Sequence, residues 1–105
     1  MAVPVSAWEV LAEPRRRRLM KLCSGHPCTV GDLHSQMPEV TLGAVSQHLA
    51  RLREANLLTM ERRGRNRLYR VDSRILLQLH AELDEMWATS LERLSALSQK
   101  EGIDA

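Results

Sequence analysis

Thr41-Leu42-Gly43-Ala44-Val45-Ser46-Gln47-His48-Leu49-Ala50-Arg51-Leu52-Arg53 is the stretch that decides how this chain is read. As a helix it sets Leu42, Val45, Leu49 and Leu52 three or four residues apart, on one face. The opposite face opens with Gly43, Ala44, Ser46 and Gln47 and ends in Arg51. Small side chains let a helix press close to another surface, and Ser and Gln match donor and acceptor groups. The major groove of DNA, about 12 Å wide, presents such groups in a sequence-dependent pattern. The stretch is therefore expected to be a DNA-reading helix, with Thr41 as its cap.

The flanking residues support that expectation. Upstream, Thr29-Val30-Gly31-Asp32 predicts a cap in which Thr29 accepts from the Asp32 amide. The helix it opens turns Val30, Leu33 and Met37 inward, and Met37-Pro38-Glu39-Val40 is a short connection. Two short helices joined by a tight turn, the second with a polar outer face, make the helix-turn-helix pattern. Downstream, Asn56 stops the helix, and Leu57 to Arg62 alternates as a strand with Leu68 to Val71 as its partner. Arg63-Gly64-Arg65-Asn66-Arg67 is the hairpin tip between them. Five arginines and no acid lie between Arg62 and Arg70. This is a basic two-stranded wing, suited to phosphate.

Nearer the N-terminus, Ser6-Ala7-Trp8-Glu9 matches a capping box, with Ser6 as the cap of a short helix that buries Trp8 and Leu11. That helix is expected to end before Pro14, which then occupies the first position of a second helix reaching about Cys23. Leu19, Leu22 and Cys23 form its apolar stripe, and Gly25 suits its close. Arg15 to Arg18 are consecutive, so the helix spreads them around its whole circumference. At least one must lie near the core side and is expected to pair with a carboxylate.

Asp72-Ser73 caps the last helix. Leu76, His80, Leu83, Trp87, Leu91, Leu94 and Ser98 then follow at steps of four or three, thickened by Leu77, Leu79, Met86 and Leu97. The helix over 73–98 is too long for so small a domain to cover. A partner chain is expected to cover it, making a symmetric dimer with Trp8, Leu76, His80, Leu83, Trp87, Leu91 and Leu94 at the interface. Residues 99–105 read as a flexible tail.

Composition bounds the rest. The 105 residues are one domain by size, 44% hydrophobic, with two Trp, one Tyr and no Phe, which favours a helical core of Leu, Val and Met. The net charge of +2 hides an asymmetry: residues 1–70 carry +6 and residues 71–105 carry −4. A basic face for a polyanion and an acidic segment held away from it are the expectation. No apolar run is long enough for a membrane span, no signal-peptide core opens the chain, and two cysteines suit a reducing cytoplasm. Cys23 reads as a core thiol. Cys28, beside a helix N-terminus, reads as a thiol of lowered pKa, and the two form a candidate redox pair. No nucleophile with a base, paired carboxylates or phosphate loop stands at a workable spacing, so no enzyme and no cofactor are expected.

Taken together, Leu11-Ala12-Glu13-Pro14-Arg15-Arg16-Arg17-Arg18-Leu19, Thr29 to Leu33, Val45 to Leu58 and Arg62 to Tyr69 resemble the ArsR/SmtB-type winged helix-turn-helix repressors. The resemblance spans roughly Trp8 to Val71. It implies a mostly α fold of about five helices with a two-stranded β-wing, and a homodimer joined through its first and last helices. It also implies binding to an inverted-repeat operator in double-stranded DNA, and repression. On this chain, Thr41, Gly43, Ala44, Ser46 and Gln47 would face the groove. Arg51, Arg62, Arg63, Arg65, Asn66 and Arg67 would hold the backbone.

The last helix, with Trp87 and Leu91-Glu92-Arg93-Leu94, is similar to a metal-independent branch. Metal-sensing members carry a Cys-Val-Cys-Asp-Leu-type pair where this chain has Thr29, Val30, Gly31, Asp32 and Leu33, so no metal site is expected there. A weak zinc set of Cys28, Asp32 and His34, a thiol-responsive repressor using Cys23 and Cys28, and a winged helix that binds protein instead of DNA are the alternatives. The effector is left open.

Overall fold

Among the described residues seven elements follow one another: α1 (Val5–Leu11), α2 (Pro14–Leu22), α3 (Val30–Ser35), α4 (Leu42–Glu54), β1 (Leu58–Arg63), β2 (Asn66–Val71) and α5 (Ser73–Lys100). The computed structural model describes residues 3–100, with side chains through residue 97. Val45, Leu49 and Leu52 of α4 reach complete burial against Leu19, Cys23, Leu33, Met37 and Leu57. The helix-turn-helix is thus the centre of the core, and α1, α2 and the wing close around it.

Local chemistry explains most of the boundaries. Glu13 caps α2 by accepting from the Arg15 amide at 3.2 Å, with Pro14 in the first turn. Thr29 and Asp32 form a reciprocal capping box on α3, at 3.1 and 3.3 Å. Thr41 caps α4 by accepting from Ala44 N at 3.1 Å. Asn56 ends α4 in the left-handed region, at φ 61°. The Leu57 amide donates to Leu52 O and the Asn56 amide to Arg53 O, both at 2.9 Å. That pairing satisfies the last carbonyls of the helix.

The first helix departs from expectation. Pro4, not Ser6, is its N-cap, and no side chain caps it. Pro4 holds an extended backbone and its carbonyl accepts from the Ala7 amide at 3.0 Å, so Ser6 falls inside the first turn. The N-terminal end is held from a distance instead. Glu82 on α5 accepts from Val3 N at 2.8 Å and from Trp8 Nε1 at 3.1 Å. Ala7 takes the buried position on α1, while Trp8 and Leu11 are half-buried.

The wing is an antiparallel pair in register from Leu58↔Val71 to Arg63↔Asn66. The turn is therefore only Gly64-Arg65, with positive φ at Gly64, which is tighter than the five-residue tip expected. Asn66 and Arg67 belong to β2. A glycine at the first of two central residues is what the twist of a two-residue hairpin asks for. The base of the wing is tied down by a backbone bridge in which Cys28 and Tyr69 exchange amide bonds at 2.9 and 2.8 Å.

Asp72 caps α5 by accepting from the Arg74 amide at 3.0 Å. Its 28 residues run about 42 Å at 1.5 Å per residue. Among its described side chains only Ile75 and Leu79, in its first two turns, join the core. Everything from Leu83 to Leu97 is exposed, and the molecule measures 65 Å along its long axis against 31 and 22 Å across. The helix continues two residues past the expected end at Ser98; the rest of the expected tail, residues 101–105, lies outside the described residues.

Candidate nucleic-acid interface

The outer face of α4 is formed as its sequence pattern implies, with one change. Gly43, Ser46, Gln47, Ala50 and Arg51 are exposed and Ala44 is half-buried. A side chain built at Gly43 would meet nothing within 4 Å, so no packing inside the chain requires the glycine. Thr41 is exposed, but its hydroxyl oxygen accepts the cap bond, so it has its proton to offer a groove and less else. Leu42, expected inside, is 52% exposed. Periodicity gives a side chain's direction; here the first turn of α4 extends past the neighbours that cover Val45, so the direction leads to solvent.

Arg62, Arg63, Arg65, Asn66 and Arg67 are all exposed on the wing. Arg63 approaches Glu61 at 3.4 Å, an exposed pair worth little in water. Arg65, Asn66 and Arg67 line a shallow cleft with Thr29, Val30 and Gly31, so the tip stands beside the start of α3. The wing arginines and the outer face of α4 are thus both open to solvent.

The consecutive arginines of α2 divide their work. Arg17 donates to Leu11 O and Ala12 O at 2.8 and 3.0 Å, finishing α1. Arg18 donates to Glu39 at 3.1 Å and to Gln36 O at 2.8 Å, fastening the turn between α3 and α4. Arg16 is the half-buried one. It was expected to meet a carboxylate, yet its Nε donates to His48 Nδ1 at 3.2 Å and its Nη1 to Val10 O at 3.2 Å. Sequence reasoning missed this contact and the Glu82 one. For Glu82 a signal existed: it falls on the Ile75–Leu79 row, where an acid needs a donor.

Both cysteines are buried, and the two thiols act on each other in opposite senses: Cys28 raises Cys23, while hydrogen bonding with Cys23 lowers Cys28. Burial pushes Cys23 up to about 12, with Cys28 adding to the shift. Cys28 is also raised, first by burial. The expected lowering at Cys28 is thus overturned: its Sγ turns inward and donates to Leu22 O at 3.3 Å, away from the helix dipole. Among the described residues no three His, Cys, Asp or Glu side chains gather as a metal site, and Cys28, Asp32 and His34 are not brought together as one. His80 pairs with Asp84 at 3.2 Å on the surface of α5.

Of the residues expected at a dimer interface, Leu76, Leu83, Trp87, Leu91 and Leu94 are exposed apolar groups on α5, and His80 is exposed between them. Trp8 and Leu11 from α1 join Leu76, Leu79 and Leu83 around an open apolar cleft of about 650 Å³. No helix among the described residues is long and apolar enough to cross a membrane.

A helix-turn-helix at the core, a basic β-hairpin beside it and a projecting apolar helix define a winged helix-turn-helix protein. A helix-turn-helix domain family model matches residues 11–61. The HTH-type transcriptional regulator Rv2034 of Mycobacterium tuberculosis is 36% identical over 101 residues, covering 96% of this chain and 94% of that protein. The crystal structure of a possible transcriptional regulator for arsenical resistance is 43% identical, covers 89% of this chain and 96% of its own, and superposes with a TM-score of 0.73. The solution structure of a homodimeric winged helix-turn-helix DNA-binding domain, Mb0332 of Mycobacterium bovis, shares the fold at 22% identity and a TM-score of 0.62, over 73% of this chain and 76% of that one. The chain belongs to the ArsR family of winged helix-turn-helix transcriptional regulators.

Proposed function

We propose that the protein is a homodimeric, sequence-specific repressor that places α4 in successive major grooves of an inverted-repeat operator. Gly43, Ala44, Ser46 and Gln47 read base edges; Arg51 and the wing residues Arg62, Arg63, Arg65, Asn66 and Arg67 hold phosphate and sugar. The observation that carries this reading is the outer face of α4. Gly43, Ser46, Gln47 and Arg51 are exposed and a side chain built at Gly43 would meet nothing within 4 Å, although the same helix is fully buried at Val45, Leu49 and Leu52.

The exposed apolar face of α5, with Trp8 beside it, supports dimerisation. So does the homodimeric state of the Mycobacterium bovis domain. Its activity is binding, not catalysis, and its setting a reducing cytoplasm. Selection of bound duplexes from a random pool tests the reading. The expected product is two inverted half-sites about one helical turn, or a multiple of it, apart. Recovery of unenriched sequence, or of a single half-site, refutes it.

A further inference from the structure

His48 lies on the inner flank of α4, between Gln47, which faces out, and Leu49, which is fully buried. Both of its ring nitrogens are engaged by other elements. Nδ1 accepts from Arg16 Nε of α2 at 3.2 Å, and Nε2 stands 3.5 Å from Glu13 Oε2 at the α1–α2 junction. That carboxylate oxygen is buried and takes no hydrogen bond among the described residues. Arg16 in turn reaches Val10 O on α1, so one ring joins three elements.

An Nδ1 that accepts leaves the proton on Nε2, facing Glu13: the ring is neutral. Burial is the largest influence holding the imidazole below its usual range; of the charged groups facing it, Glu13 opposes the shift and Arg16 and Arg15 add to it. A second proton would put an N–H on Nδ1 against the Arg16 N–H and draw the ring toward Glu13. The polar contact between α4 and α2 would then be lost while the one to the junction tightened.

We propose that His48 is the positioning residue of the DNA-reading helix: its neutral ring, held by Arg16, fixes the rotation of α4, and its protonation releases that rotation and lowers sequence discrimination. The inference rests on the DNA-binding reading above. Gln47 and Ser46 reach base edges only if α4 is correctly turned, whereas phosphate contacts from the wing tolerate a small rotation. Acid therefore lowers affinity for the chosen sequence without lowering affinity for DNA at large.

The test compares the wild type with His48→Asn, whose Oδ1 takes the place of Nδ1 but does not titrate. Affinity is measured for a duplex recovered by selection and for a mixed-sequence duplex, at about pH 7.5 and in steps down to about pH 4.5. The wild-type ratio of the two affinities is expected to fall about fivefold in acid, the equivalent of one hydrogen bond. The His48→Asn ratio is expected to stay constant. An equal change in both proteins, no change in the wild type, or a fall that tracks loss of helical circular dichroism overturns the proposal. Absence of DNA binding at the higher pH overturns the DNA-binding reading and this inference with it; binding there with matching pH profiles overturns this inference alone.

Discussion

Trp87→Ala is the sharpest test of how the protein assembles. Trp87 sits midway along α5 with 66% of its surface exposed, and Leu83, Leu91 and Leu94 stand beside it at the same helical phase. Covering its exposed part removes about 150 Å² from water, since a Trp presents up to about 250 Å². At about 25 cal/mol per Å² this is about 4 kcal/mol for each protomer. A two-fold interface uses the residue twice, so the upper bound is about 8 kcal/mol per dimer. Association costs and the surface that Ala retains reduce the figure, and at least about 3 kcal/mol is expected to remain. That is a rise of more than about 100-fold in the dimer dissociation constant.

Sedimentation equilibrium reads the constant directly. Thr89→Ala is the control, because two residues along a helix is about 200° around it. Thr89 is exposed beside Glu85 and Arg93, on the polar side of α5. The monomer fold does not depend on Trp87, so circular dichroism per residue is expected to be unchanged below the dissociation constant. A dimer constant equal to the wild-type value, or equal losses for Trp87→Ala and Thr89→Ala, refutes the assignment of α5 as the interface.

Four further outcomes follow from other parts of the chain. Arg65→Ala is expected to weaken all duplexes alike and to reduce the slope of log affinity against log salt by about one unit, whereas Gln47→Ala lowers the preference for the selected duplex with the slope unchanged; fluorescence anisotropy across a salt series separates them. Thr41→Ala removes the cap on Ala44 N and is expected to cost about 1 kcal/mol in urea unfolding, with Thr41→Ser restoring it. Asn56→Ala places a β-carbon at φ 61° without the local hydrogen bonding of Asn and is expected to cost about 1 kcal/mol by the same measurement. Because Cys23 is held protonated up to about 12, the unfolded chain loses its thiol proton near pH 9 while the native chain keeps it. Stability therefore falls as pH rises above about 9, and the fall is expected to be shallower in Cys23→Ala.

What was legible in the sequence was what local rules decide. Thr29 and Asp32, Thr41, Asn56 and Asp72 each act on a backbone group within a few residues, so their types and spacing were enough to place the ends of α3, α4 and α5. The row Val45-Leu49-Leu52 was readable because a helix repeats, and the surplus of apolar surface on α5 because its length outran anything the chain had to cover it. Depth was not readable: Leu42 shares the phase of Val45 and differs only in having nothing above it.

Nor were the long-range polar contacts. Glu82 with Trp8, and Arg16 with His48, join residues 74 and 32 apart in sequence, and each side chain had several equally good partners before the fold chose one. The error at Cys28 has the same origin, since a position beside a helix N-terminus says nothing about whether Sγ turns out to the dipole or in to the core. His48 carries the point furthest. A histidine between an outward Gln and a buried Leu announces that it needs a partner, but only the packing of α2 on α4 shows that the partner is a guanidinium. A guanidinium requires an accepting Nδ1, and that requirement makes the protonation state of one ring a condition for aiming the helix.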